Sequence, residues 1–275
     1  MREITTASAS CFACKIPNEG HGRMPECKKR GIAVENNNKK NPVLGIIGGL
    51  GPMATVYFYE MLTSKTAAAC DQDHIDIVIS SKASTPDRTA FIMGESKDDP
   101  LCVMIEEAKK LEEYGASMIV MPCNTAHYFY DELHAAVKIP FINIIDETVS
   151  YCKKLGYKKV GILATEGTIM TKGYQMRLEK AGIEYEIPSP EMQQKVTELI
   201  YDDIKQGKRA DMNKFSEISA ELTSKGCRSI ILGCTELSMI KRDEKLGRFY
   251  TDSLEVLAYS SIVACGKTPV GNFPC

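Results

Sequence analysis

From residue 42 onward, short apolar runs bounded by turn residues alternate with longer amphipathic stretches. Apolar runs of this length between Gly, Pro or Asn read as buried strands, and the longer periodic stretches as helices. The pattern predicts strands at 43–47, 75–80, 117–121, 141–144, 159–164, 183–187, 229–232 and 248–250. It predicts helices at 54–69, 100–114, 125–137, 170–181, 190–206, 211–225 and 253–264, with loops at 48–52, 81–89 and 165–168. Strands that alternate with helices imply parallel sheets covered on both faces.

The pattern also repeats. GASMIVMPCNT (115–125) lies over GCRSIILGCTE (226–236) at an offset of 111, which sets Gly115 on Gly226, Ile119 on Ile230 and Cys123 on Cys234. VLGIIGGLGPMAT (43–55) lies over KVGILATEGTIMT (159–171) at an offset of 116, with Gly45 on Gly161, Gly51 on Gly167 and Thr55 on Thr171. Two registers in the same order with near-equal offsets indicate a duplicated βα unit. The predicted fold is therefore α/β, with two similar Rossmann-like domains of parallel sheet related by a pseudo-twofold and an active site in the cleft between them. The duplication sets one unit in the first half of the folded part and its copy in the second. An N-terminal extension at 1–41 and an irregular tail at 266–275 flank them.

Composition narrows the class. The formal net charge of -2 gives no attraction to nucleic acid or to an anionic membrane. No apolar stretch approaches the length of a membrane span, and the N-terminus lacks the apolar core of a secretory signal. Eleven scattered cysteines suit a reducing cytosol better than a disulfide scaffold. The extension is rich in Lys, Asn, Gly and Glu, which predicts poor order. Within it Cys11, Cys14, His21 and Cys27 form a donor set for tetrahedral zinc, although their spacing fits no common finger. The extension therefore reads either as a metal site or as a tail with incidental cysteines.

Three motifs bear on chemistry. Gly49-x-Gly51-x-x-Ala54 has the form of a dinucleotide fingerprint, but the second strand ends Ile79-Ser80-Ser81-Lys82 without the acid that would hold a ribose. The loop is better read as a tight turn whose N–H groups face a small carboxylate. Gly266-Lys267-Thr268 lacks the upstream glycine of a P-loop. The third motif is the cysteine pair. Cys123 and Cys234 each follow a strand and precede a helix N-terminus, whose partial charge favours a thiolate. Each is followed by amide or hydroxyl groups, Asn124 and Thr125 or Thr235, fit to hold a carboxylate. Two thiols facing one carbon from opposite sides would remove a proton from one face and deliver one to the other. Cys70, Cys102, Cys152, Cys227 and Cys265 read as inert small hydrophobes. His127 lies four residues after Cys123, where it would tune the thiol or serve structure. Glu236 reads as a local cap or a pocket wall.

GIIGGLGPMAT, STPDRT, MPCNTAH and LGCTEL, from about Val43 to Ala264, resemble the aspartate/glutamate racemase family, and its aspartate branch in particular. The resemblance implies a two-base racemase of an acidic amino acid that uses no pyridoxal phosphate, metal or other cofactor. It implies Cys123 and Cys234 as the acid/base pair and Arg88 as the group that binds the substrate's side-chain carboxylate. Lys205 would assist, Asn124, Thr125 and Thr235 would hold the α-carboxylate, and Thr165 would line the pocket. It further implies a C-terminal helix that crosses back to the first domain, so that the first domain is expected over 42–141 plus 248–265 and the second over 142–247, and it implies a homodimer. Gly48-Gly49 stands where the branch that makes D-glutamate for cell walls carries Asp-Ser. The rival readings are another reaction of the superfamily, on maleate or a hydantoin, and a non-catalytic small-ligand-binding protein.

Overall fold

The computed structural model describes residues 41–271. The N-terminal extension with Cys11, Cys14, His21 and Cys27, and the end of the C-terminal tail, lie outside the described residues. The first half runs β1 (Val43–Gly48), α1 (Pro52–Ser64), β2 (Asp76–Ser81), α2 (Arg88–Ile92), α3 (Leu101–Tyr114), β3 (Met118–Val120), α4 (Tyr130–Ala135), β4 (Phe141–Ile142) and α5 (Ile144–Lys154). The second runs β5 (Lys159–Leu163), α6 (Glu166–Met170), α7 (Gly173–Ala181), β6 (Glu184–Glu186), α8 (Pro190–Glu198), α9 (Met212–Ser224), β7 (Ser229–Leu232), α10 (Thr235–Asp243), β8 (Tyr250–Asp252) and α11 (Ser253–Ala264).

The two sheets have the same order, β2-β1-β3-β4 and β6-β5-β7-β8, and every strand pair is parallel. Both faces of each sheet are covered, so the central strands are apolar throughout. Leu44 and Ile46 of β1 face a core shared with Val160, Ile162 and Ile231 of the other sheet, while Ile47 and Ile119 turn outward against Met104 and Leu111 of α3. The shared core is filled by α1, α5, α7 and α11, which supply Phe58, Ile145, Tyr174 and Leu257. Leu163 and Leu232 face outward in the second sheet against Phe215 and Ile218 of α9.

Helices are exchanged between the halves. α5 follows the last strand of the first sheet but packs on α7 of the second half. α11 follows the last strand of the second sheet and packs on α1 of the first, as well as on α5. Matching caps start the pair. Asn143 Oδ1 accepts from the amides of Ile145 and Asp146, and Asp252 Oδ1 from those of Leu254 and Glu255. The expected boundary at 248 needs one correction. β8 hydrogen-bonds to β7 in the second sheet, so only the helix from Ser253 onward crosses to the first half.

Three helix expectations also change. The stretch 190–206 is not one α-helix. α8 ends at Glu198, a π-helical turn covers Leu199–Asp203, and a 3-10 turn follows over Ile204–Gln206. The helix expected over 170–181 starts at Gly173, and the loop expected at 165–168 is instead the start of a separate helix, because Thr165 caps α6 and Lys172, at φ 57°, breaks the chain before α7. The helix expected from 125 begins as a 3-10 turn over Thr125–Phe129. Of the cysteines read as buried hydrophobes, Cys152, Cys227 and Cys265 are buried, whereas Cys70 and Cys102 are exposed. No helix among the described residues is long and apolar enough to cross a membrane.

Candidate active site

Cys123 lies just past the end of β3, and Cys234 just past the end of β7. Both strands are internal to their sheets, and ligands of open parallel sheets bind beyond such strand ends. The two ends meet at one small cavity. Arg88, Cys123, Asn124 and Thr125 line it from the first half, and Thr165, Lys205, Cys234 and Thr235 from the second. All eight residues that the sequence reading assigns to catalysis or substrate binding are thus brought together. Both cysteines are free thiols, each only 6% exposed.

The glycine loops repeat the symmetry at this cleft. A β-carbon on Gly51 would lie 2.9 Å from Glu236 Oε1, and one on Gly167 would lie 3.3 Å from Thr125 Cγ2. Gly51 and Gly167 are mates in the repeat, and so are Thr125 and Glu236. The same loop-to-loop approach is therefore made twice. It also shows that the carboxylate beside the first glycine loop belongs to the chain's own Glu236.

The symmetry fails in chemistry at that pair. The thiol of Cys234 donates to Glu236 Oε2 at 2.9 Å, and Thr235 Oγ1 reaches the same oxygen at 3.3 Å. Burial, followed by the charge and hydrogen bond of Glu236, pushes the Cys234 thiol well above the ordinary thiol range, while Lys205 pulls the other way. In the first half Thr125 holds the equivalent place, and its hydroxyl closes a triangle with Thr165 (2.9 Å) and Thr168 (3.0 Å). Cys123 has no such carboxylate two residues on. Glu236 is thus a pocket wall and the partner of a thiol, a role that the sequence left open.

Arg88 is 8% exposed, and among the described residues its guanidinium donates to the backbone carbonyls of Leu50 (3.0 Å), Thr85 (3.3 Å) and Pro86 (2.9 Å). Its Nε is buried with no hydrogen-bond partner among the described residues. A cation fixed in this way keeps its charge available to a ligand carboxylate. Lys205 follows the π-helical turn, stands 4.1 Å over the ring of Tyr201 and lies 3.9 Å from Asp87 Oδ2. A π turn inserts a residue into the helical register, and here it carries Tyr201 and Lys205 into the cavity wall. Tyr201, Asp87, Thr89 and Leu50 line the cavity too; the last three lie in the quoted motifs STPDRT and GIIGGLGPMAT, but none of the four was given a role from the sequence.

Two expectations shift. His127 does not meet the Cys123 thiol. Its Nδ1 bonds the Cys123 carbonyl at 2.8 Å, and Nε2 accepts from the amide of Ile144 at 3.2 Å. Burial lowers its pKa to about 4, so the ring is neutral and ties α5 to the loop after β3. The amide of Asn124 is bonded within the protein, from Nδ2 to Ser253 Oγ (3.0 Å) and at Oδ1 from the hydroxyl of Tyr174 (2.7 Å).

Comparison with known proteins agrees with this geometry. Residues 47–258 match the model of the Asp/Glu/Hydantoin racemase family. The broad specificity amino-acid racemase RacX of Bacillus subtilis is 30% identical over 207 residues, covering 72% of this chain and 87% of that protein. The aspartate racemase of Picrophilus torridus superposes with a TM-score of 0.72 at 32% identity, covering 84% of this chain and 97% of that one. An aspartate racemase homologue from Pyrococcus horikoshii superposes with a TM-score of 0.67 at 26% identity, over 82% of this chain and 100% of that one. The chain therefore belongs to the Asp/Glu/hydantoin racemase family, as an enzyme of the amino-acid racemase class.

Proposed function

We propose that this racemase interconverts L- and D-aspartate by proton transfer at Cα between Cys123 and Cys234, without a cofactor. The observation that carries this reading is the pair of free thiols, on equivalent strand ends, that line one small cavity together with a buried arginine fork. Arg88 takes the side-chain carboxylate. Asn124, Thr125 and Thr235 stand where their N–H groups open the following helical turns, which suits the α-carboxylate. In the form described, Cys234 carries its proton toward Glu236, so Cys123 acts as the base. The Cα–H bond breaks and its proton passes to the Cys123 sulfur. The electron pair is held by the α-carboxylate, and the Cys234 S–H protonates the opposite face. The reverse reaction exchanges the two roles.

Incubating L-aspartate with the enzyme in D2O tests the reading. The α-proton signal should decay as D-aspartate, deuterated at Cα, accumulates. Absence of exchange with aspartate would refute it, and turnover of glutamate, maleate or a hydantoin in its place would name the substrate instead. Glutamate is the nearest rival, since one methylene is worth only about 1–3 kcal/mol in a pocket.

Glu236 gives the pH dependence a sign. Cys234 must be protonated to act as the acid, and Glu236 helps keep it so. Glu236→Gln removes that charge and lowers the Cys234 pKa, so the alkaline limb of the kcat profile should move to lower pH. An unmoved limb would separate Glu236 from the thiol.

We place the enzyme in the cytosol, a reading supported by its scattered cysteines. We also read it as a homodimer. α1 exposes Met53, Val56 and Tyr59 on its outer face, an apolar strip that a second copy would cover, and sedimentation at the monomer mass would refute this.

A further inference from the structure

Tyr174, in the first turn of α7, is completely buried, yet it touches both cysteine-bearing loops. Its ring lies against Gly233, the residue before Cys234, where an added β-carbon would come within 3.0 Å of Cε2. Its hydroxyl donates at 2.7 Å to Asn124, the residue after Cys123. Ser253, the first residue of α11, makes a second tie. Asn124 Nδ2 donates to Ser253 Oγ at 3.0 Å, and that hydroxyl donates at 2.7 Å to the carbonyl of Leu232, the last residue of β7. Both ends of the Asn124 amide are thus fastened to groups seated beside Cys234.

The arrangement is not a by-product of the duplication. At the offset of 116, Tyr174 falls on Phe58, and the residue that opens α5 is Ile144. Neither has a hydroxyl, so the tie exists on one side only.

We infer that Tyr174 and Ser253 are positioning residues that set the separation of the two thiols, acting through Asn124. The inference rests on the two-thiol reading above. Each sulfur has to reach the same carbon from its own side, at about 3–3.5 Å, and an error of 1 Å costs on the order of 10²-fold in rate. The thiols stand on loops from different sheets, so their spacing depends on whatever bridges those loops. Tyr174 spans the gap with a rigid ring on one loop and a hydrogen bond to the other, and Ser253 does so with two hydrogen bonds.

The test measures kcat and KM for both enantiomers, and Tm, in the wild-type enzyme and in Tyr174→Phe, Ser253→Ala and the double variant. Phenylalanine keeps the ring against Gly233 and removes the hydroxyl, with its hydrogen bond to Asn124 and its contacts to Thr148 and Ser253. Each single variant should lose about 10-fold or more in kcat with KM within about twofold, since Arg88 and its carbonyl anchors are untouched. The double variant should lose less than the product of the two, because both ties act on one amide. Folded variants with kcat within twofold of wild type would overturn the inference, and so would losses that appear only in KM. If Tyr174→Phe fails to fold, Ser253→Ala decides alone. Inability of the wild-type enzyme to racemise either acidic amino acid would refute the proposed function instead, so the two failures are distinguishable.

Discussion

Cys123→Ser and Cys234→Ser should each lower kcat by about 10³-fold, roughly 4 kcal/mol at 1.36 kcal/mol per tenfold. A hydroxyl is too weak an acid to carry the proton that a thiol carries near neutral pH. Neither variant should lose its fold, since the substitution replaces one buried atom by a smaller one, and melting should stay within a few degrees of wild type. The residual chemistry is the sharper readout. With one thiol left, each variant should wash the α-proton of a single enantiomer into D2O without inverting it, and the two variants should select opposite enantiomers. Wild-type rates in both variants would remove the two-thiol mechanism. Loss of exchange for both enantiomers in both would show that neither sulfur acts alone as a base.

The second large effect is expected at Arg88. Its guanidinium is held by three carbonyls and by no carboxylate, so a bound side-chain carboxylate would be its one ionic partner among the contacts described. A charge-assisted hydrogen bond of this kind is worth about 1.5–3 kcal/mol. Arg88→Met should therefore lower kcat/KM for aspartate by about 10- to 100-fold, mainly through KM. Arg88→Lys should recover only part of the loss, because a point charge cannot reproduce the fork. An unchanged KM in Arg88→Met would mean that the arginine holds the loop at Leu50 and Thr85 and does not bind substrate.

Much of this molecule was legible in its sequence, and the rest was not for identifiable reasons. Strands buried on both faces leave unbroken apolar runs, so β1, β3, β5 and β7 stood out. The duplication set Cys123 over Cys234 before any distance was known. α5 went unassigned although its signals were present, with Asn143 as cap, Asp146 and Glu147 in the first turn, and Lys153 and Lys154 in the last. The π-helical turn at Leu199–Asp203 left no local mark, because its residues are ordinary helix formers. Glu236 was ambiguous because its meaning depends on a thiol two residues away that points into the same cavity. The Asn124–Ser253 bond joins residues 129 positions apart, and no local pattern encodes such a partner.

The traded helices carry an implication for how such a chain arose. A half-length polypeptide that stopped after α5 would leave that helix without a bed, and the vacant place beside its own α1 would stay unfilled. Only another copy could supply both, each lending its last helix to its neighbour. An ancestral pair of that kind would already have had two cysteine loops facing one another. Joining its halves into one polypeptide would have left each loop free to change alone, and threonine now stands two residues after one cysteine and glutamate two after the other.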